Sequence, residues 1–264
     1  MLPFGSSYAA WIASTALPAF FGLLLITVAG RRFGPKLAAG FALGIFLWFF
    51  VDTIEGSADL DVAAGFGGGA DQLAMVILFI VGLLFFFLAD KGTFASGEGI
   101  SEGGILLSVL VAVAVGIHGF GEGTAFGSTA YSTPVSSLLD AFGGISGGAA
   151  YALHKMFEPM MAGALYVSYS NAVSRKTKGI VGDLLILTLA FVLPSLIGAF
   201  TGYFITYDAT YFFALGTGTS IFAAFRLSRQ AFQAESQGGR ESLRMSVALA
   251  LGFILIYLAA LLHS

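Results

Sequence analysis

The sequence predicts an all-α, polytopic membrane protein, and its composition and its long apolar stretches are the observations behind this prediction. Of the 264 residues, 57% are hydrophobic and only 10% are charged, whereas soluble domains carry about 25% charged residues. A helix needs about 20 mostly apolar residues to cross a bilayer, and eight stretches approach that length. No segment between them is long enough to form a separate soluble domain, so we predict one transmembrane domain over residues 1–264.

The eight predicted transmembrane helices follow one another with short connections. The first is expected to be retained, since no basic segment precedes it and it is too long for the core of a signal peptide. The second and the seventh are the shortest. The 36 glycines of the chain suit membrane helices that pack closely against one another. The stretches lie near Tyr8–Gly30, Leu37–Asp52, Leu73–Ala89, Ile105–Ala125, Ile145–Ser168, Val181–Phe204, Tyr211–Phe225 and Met245–Leu262.

The basic residues predict how the chain is oriented in the membrane. Lysine and arginine concentrate in cytoplasmic connections, and here all of them except Lys155 fall on one side of the predicted helices. We therefore predict a multi-pass protein of the cell membrane with both termini outside. The cytoplasmic set is Arg31, Arg32, Lys36, Lys91, Arg175, Lys176, Lys178, Arg226, Arg229, Arg240 and Arg244; the opposite connections hold Asp59, Asp61, Asp71, Asp140 and Asp208.

Two predicted helices carry a histidine followed four residues later by a glutamate. The fourth contains His118 and Glu122, and the fifth contains His154 and Glu158. Residues four apart share one face of a helix, and ionisable residues within a membrane are costly unless they pair, line a wet cavity or bind a metal. Counting from the helix ends places both pairs at a similar depth. The four side chains can therefore surround one divalent cation.

The residue types around these pairs narrow the chemistry further. Cysteine is absent, so any metal must be held by nitrogen and oxygen ligands. Pro159 follows Glu158 directly and lacks an amide hydrogen, so we expect the fifth helix to kink there and to leave a backbone carbonyl free. Such breaks are tolerated in transporters where a cavity supplies water. In the sixth predicted helix, Ser195 directly follows Pro194. We expect the serine hydroxyl to hydrogen-bond to the backbone groups that this proline leaves without partners.

These motifs resemble the ZIP (Zrt/Irt-like) family of divalent-metal transporters, and the similarity extends over most of the chain. The segment FALGIFLWFFVDTIEG is similar to the second helix of that family, and LPSLIGAFTGYF is similar to its sixth. The resemblance implies a bundle of three, two and three helices in which the fourth and fifth form the transport site. It places His118, Glu122, His154 and Glu158 on the positions of the metal ligands.

The sequence also departs from the pattern of this family. Many members carry a further ligand directly after each histidine, where this chain has Gly119 and Lys155. The acidic residue often found in the seventh helix is absent before Arg226. We therefore expect no second metal site, and we hypothesise that the ammonium of Lys155 replaces the charge of a second ion and pairs with Glu158, three residues on.

For other residues near these helices the sequence gives less indication of a functional role. Asp52 and Glu55 are interpreted as a solvated helix end, with an entrance that attracts cations as the alternative. Met156, Met160 and Met161 are interpreted as packing residues rather than as soft metal ligands. Nucleic-acid binding is not expected, because the net charge is −3 and no basic aromatic surface is present.

The sequence favours a transporter that moves a divalent metal toward the cytoplasm, and not an enzyme. Imidazole and carboxylate suit zinc, iron(II), manganese, cobalt or nickel as the substrate, and no organic cofactor is expected. Transport should fall at acid pH because the histidines must be neutral to bind metal. The expected partners are the metal ion and the lipid bilayer, with a homodimer left open. The alternatives are an intramembrane metal-dependent hydrolase, a non-transporting metal sensor and a proton-coupled organic carrier.

Overall fold

The computed structural model describes residues 2–57, 70–90, 104–132, 137–205, 209–232 and 239–263. Over these ranges the chain is all-α and contains no β-strand, which confirms the all-α part of the predicted fold class. A short 3₁₀ helix, Leu261–His263, follows the last α-helix. The α-helices are α1 (Phe4–Phe33), α2 (Pro35–Ser57), α3 (Ala70–Ala89), α4 (Gly104–Gly116), α5 (His118–Ser132), α6 (Leu138–Ala141), α7 (Gly144–Phe157), α8 (Met160–Ala172), α9 (Thr177–Phe204), α10 (Thr210–Ala231) and α11 (Gly239–Ala260).

Length and apolar composition confirm a membrane protein with several spanning helices. Four segments of the described chain are long and apolar enough to cross a bilayer: 4–33, 35–54, 177–204 and 241–260. A fifth results if α4 and α5, which meet at an angle of 41°, count as one bent span. The remaining predicted stretches are also helical. The part of α3 whose side chains are described, Leu73–Ala89, is a shorter apolar helix, and the fifth stretch is divided between α7 and α8.

Several charged residues from which the orientation is predicted lie outside the described part of the chain. Asp59, Asp61, Lys91 and Asp208 belong to this group. The side chains of Glu55, Asp71 and Arg240 are likewise outside the description, although their backbones are helical.

Contacts between distant segments define two ends of the bundle. At one end the amide of Leu2 donates to the carbonyl of Ala130 at 3.0 Å, and the Tyr203 hydroxyl donates to the carbonyl of Leu2 at 2.8 Å. The Ser146 hydroxyl contacts the carbonyl of Leu262. The beginning of α1 and the segment after α11 therefore lie at the same end, together with the end of α9.

The opposite end carries the basic residues and is called the basic end below. Lys36, at the start of α2, lies 3.6 Å from Glu241 at the start of α11. Arg175 donates twice to Asp183 at 2.9 Å, and these hydrogen bonds raise the pKa of the guanidinium. Arg226 forms a buried ion pair with Asp90 after α3. Cationic and anionic side chains thus link neighbouring helices at the end where the sequence places its cytoplasmic connections.

Small residues allow the central helices to approach one another closely. Helix α9 packs along α5, and a Cβ atom added at Gly198 would lie 2.2 Å from the carbonyl oxygen of Phe120. At Gly202 it would lie 2.3 Å from the carbonyl oxygen of Thr124. Only glycine fits such backbone contacts, which membrane helices use because lipid supplies little driving force for helix association. The tight packing fixes α5 and the functional side chains that it carries.

Two interruptions lie in the middle of the bundle. The first separates α4 from α5 at Ile117, and the second separates α7 from α8 at Glu158 and Pro159. Because Pro159 has no amide hydrogen, the carbonyl of Lys155 loses its usual intrahelical donor, and the helix restarts at Met160. The kink expected at Pro159 is therefore present as a break in the helix. Both interruptions occur beside the predicted metal ligands.

Candidate metal-binding site

The α4–α5 bend and the α7–α8 break bring three of the predicted ligands together. One ligand atom each from His118, Glu122 and Glu158 lies within 4.8 Å of the other two, the only such group of three among the described residues. The His118 side chain is 1% exposed, that of Glu158 is fully buried, and that of Glu122 is 21% exposed. The cluster is thus embedded in the bundle and accessible mainly beside Glu122.

The backbone at the bend fixes the orientation of the His118 ring. Its Nδ1 atom lies 2.7 Å from the carbonyl oxygen of Val115, three residues earlier. A carbonyl can only accept, so Nδ1 carries the proton and the lone pair of a neutral ring is on Nε2, facing the carboxylates. Phe49 of α2 packs edge-on against the ring, with centroids 4.5 Å apart. Metal-binding histidines are commonly held in this way, with the second ring nitrogen donating to a carbonyl.

The separations between the polar atoms fit a single coordination sphere. His118 Nε2 lies 3.5 Å from Glu122 Oε1 and 3.3 Å from Glu158 Oε1. Metal bonds of normal length in a tetrahedral site place neighbouring ligand atoms about 3.3–3.6 Å apart. The three side chains can therefore bind one ion with little movement.

His154 lies at the edge of this group, on the side of α2. Its Nε2 atom is 3.1 Å from Glu158 Oε1 and 3.7 Å from Asp52 Oδ2. Glu158 is consequently shared by both histidines, one from each interrupted helix. Asp52 is 43% exposed, so this carboxylate connects the buried cluster with the surface. Asp52 therefore contacts His154 and is also exposed at the end of α2, and its role as an entrance stays a prediction.

The ammonium of Lys155 occupies the centre of the cluster. Its Nζ atom lies 2.8 Å and 3.1 Å from the two carboxylate oxygens of Glu158, and 3.4 Å from His118 Nε2. It also forms an ion pair with Glu122. The side chain is only 1% exposed, so it is a tethered cation held by three of the four predicted ligands. The sequence predicts only the ion pair between Lys155 and Glu158.

The net charge of the cluster favours the binding of a cation. Two carboxylates, Glu122 and Glu158, face one ammonium, so the buried group carries one negative charge when both histidines are neutral. Two aromatic rings also face the Lys155 ammonium, since Nζ lies 5.7 Å from the ring of Tyr151 and 5.8 Å from that of Phe191. A buried site of net negative charge attracts cations strongly because solvent does not screen it.

The position beside His118 has little space for a further ligand. A Cβ atom at Gly119 would lie 3.2 Å from Cβ of Ser195 and 3.7 Å from Glu122 Oε2. Gly216 of α10 approaches the backbone of His118 so closely that a Cβ there would lie 2.5 Å from the histidine Cβ. These contacts leave little room for a larger side chain at position 119.

A polar network next to the cluster was not predicted from the sequence. The indole of Trp11 donates to the Ser195 hydroxyl at 3.0 Å, and the hydroxyls of Thr15 and Tyr151 lie 2.8 Å apart. Ser195 thus accepts a hydrogen bond from α1, in addition to any role beside Pro194. These residues are isolated polar positions separated by more than 130 residues, so no local pattern could have linked them.

The methionines near the α7–α8 break belong to the hydrophobic core or pack against it. Met160 and Met161 are fully buried among apolar side chains, and Met156 packs against the same core. Their environment is that of packing residues, in agreement with the interpretation made from the sequence.

Comparison with known proteins adds no relative from which a function could be transferred. No protein-family model matches the chain, and no curated protein is significantly similar to it in sequence.

Proposed function

We propose that the protein is a carrier that moves a divalent transition-metal ion across the membrane toward the cytoplasm. The observation that carries this proposal is the buried group of His118, Glu122 and Glu158, which come from both interrupted helices and whose ligand atoms lie within 4.8 Å of one another. Ionisable groups buried in a membrane bundle mark ion pathways in general. Helices interrupted at the same depth are the usual framework of a transport site.

The proposal includes a ZIP-like architecture with eight crossings and both termini outside. The position of the site between two interrupted helices supports it, as do the basic end of the bundle and the beginning of α1 at the opposite end. In this arrangement α4 and α5 form one bent crossing, and α7 and α8 form another. The other helices would surround them as two groups of three.

The ligand set favours zinc, iron(II), manganese, cobalt or nickel as the substrate. An ion entering beside Asp52 would first reach His154, Glu158 would share it with the two histidines, and Glu122 would complete the ligand set. The ion must displace the Lys155 ammonium, which holds the same oxygens. Rocking of one helix group against the other would then separate the ligands of α5 from those of α7 and of the break after it, and release the ion inward.

The decisive experiment is metal uptake into proteoliposomes that contain the purified protein. Zinc, iron(II), manganese and cobalt are supplied outside, and His118→Ala and Glu158→Ala are compared with the unmodified chain. Met161→Leu serves as a matched control, because Met161 is buried on α8 close to the break but is not a ligand. We expect both ligand variants to lose nearly all flux and the control to retain it.

The alternatives give different results in the same preparation. Binding of one ion per chain without flux would contradict the carrier and favour a metal sensor, or a hydrolase whose metal-bound water attacks a substrate within the membrane. Absence of metal binding would contradict the whole assignment and favour an organic carrier.

A further inference from the structure

An apolar groove runs along the outside of the bundle and is separate from the metal-binding cluster. It lies between α1, α2 and α11, and its volume is about 370 Å³, within the range of ligand pockets. Its wall includes Leu25 and Ala29 of α1, Phe41 of α2 and Leu255 of α11. Leu25 and Leu255 are more than 40% exposed, so the groove opens toward the surrounding lipid.

A polar basin continues the groove at the basic end. It has a volume of about 600 Å³ and shares Phe33 and Leu37 with the groove. Lys36 and Arg244 line it together with a single acidic residue, Glu241. Because Glu241 lies 3.6 Å from Lys36, the three side chains retain one net positive charge.

We infer that the groove and the basin together bind one anionic phospholipid. The acyl chain would lie along the groove, and the phosphate would contact Lys36 and Arg244 at the membrane surface. Basic pockets between transmembrane helices attract anionic headgroups, and the apolar wall of the groove can pack against an acyl chain through van der Waals contacts. The joined apolar and cationic surfaces match the two parts of such a lipid. This inference requires only that the chain is embedded in a membrane, and it does not depend on metal transport.

The bound lipid would contact the helix break that carries Glu158. Phe157 and Met160, the residues on either side of Glu158 and Pro159, both line the groove. An acyl chain in the groove therefore packs against both ends of the break. Occupancy by lipid should accordingly stabilise the break in the conformation described here.

The experiment compares two lipids that share their acyl chains and differ in charge. The detergent-purified, delipidated protein is titrated with dioleoyl phosphatidylglycerol or dioleoyl phosphatidylcholine, and bound lipid is counted by native mass spectrometry. We expect one phosphatidylglycerol per chain, bound at least tenfold more tightly than phosphatidylcholine. Lys36→Gln and Arg244→Gln should each weaken phosphatidylglycerol about fivefold without changing phosphatidylcholine. Lys176→Gln is the matched control, because this exposed lysine is at the basic end but away from the basin.

A groove-filling variant tests the apolar part of the site. Ala29→Phe should remove tight binding of phosphatidylglycerol while the unfolding temperature of the lipid-free protein is retained. Equal affinity for the two lipids, or equal weakening by Lys176→Gln, would overturn the inference. A dimer that Ala29→Phe dissociates would also overturn it, since a second copy would then cover the groove.

Discussion

Lys155 is the residue that distinguishes this cluster from a simple four-ligand site. Its ammonium contacts His118, Glu122 and Glu158, so a metal ion in the proposed site would compete with the lysine for the same atoms. Burial makes this competition strong, because two cations within a few ångströms repel each other far more in a protein interior than in water. The lysine pairs with both carboxylates, and in the proposed site it would lower the affinity for metal.

Replacement of Lys155 by glutamine should tighten metal binding. We expect the dissociation constant for zinc, measured by titration calorimetry on the purified protein, to fall at least tenfold, because a competing charge is removed. The metal-free variant should be less stable by about 3–5 kcal/mol, since two buried carboxylates lose their partner. Lys155→Arg retains the charge and should leave the affinity low. Unchanged affinity in Lys155→Gln would show that the ammonium does not compete with the ion.

Lys155→Glu tests whether the lysine replaces a second metal ion. An added carboxylate at this position should raise the stoichiometry from one ion per chain to two, as measured by elemental analysis after dialysis. A stoichiometry of one would contradict the charge-replacement hypothesis. Such a result would agree with the lack of space beside Gly119, where the other ligand of a second site would have to stand.

At the scale of single elements, the contact between α5 and α9 holds the site in place. The glycines of α9 provide a direct test, because a Cβ atom would meet backbone atoms at some of them and open space at another. Gly198→Ala and Gly202→Ala would introduce a methyl group about 2.2–2.3 Å from backbone oxygens of α5, so the helices would have to separate. We expect each variant to lower the unfolding temperature in detergent and to reduce metal affinity.

Gly182→Ala is the matched control on the same helix. Nothing lies within 4 Å of the Cβ position of Gly182, so alanine should be neutral or should stabilise the helix by up to about 1 kcal/mol. If all three substitutions had the same effect, helix propensity rather than packing would explain it, and the role of the contact would be refuted.

The elements also show which parts of the fold a sequence can predict. Hydrophobic stretches and the proline at position 159 were sufficient to place the helices and the break before α8, because both depend on local chemistry. The bend at Ile117 has no proline and was not predicted. It accompanies the contact of the His118 ring with the carbonyl of Val115, which the residue pattern does not reveal. The shared position of Glu158 between two histidines likewise depends on the packing of α2, α5 and α7.

At the scale of the whole molecule, the orientation in the membrane remains a prediction with a direct test. The natural chain contains no cysteine, so a single introduced cysteine reports its own side without background. Ser6→Cys lies in the first turn of α1 and Lys176→Cys lies just before α9, at the basic end, and both positions are exposed. A membrane-impermeant maleimide applied to intact cells should label Ser6→Cys and spare Lys176→Cys until the membrane is permeabilised.

The labelling pattern also tests the number of crossings. Asp140→Cys, in α6, should be labelled like Ser6→Cys, because four crossings separate the two positions if α4 and α5 form one bent span. An odd number of crossings between Ser6 and Asp140 would protect Asp140→Cys from the reagent while Ser6→Cys reacts. The reverse pattern, with only Lys176→Cys labelled in intact cells, would place the basic end outside. Asp52 would then connect the cluster with the opposite side of the membrane, and the proposed direction of metal movement would have to be reversed.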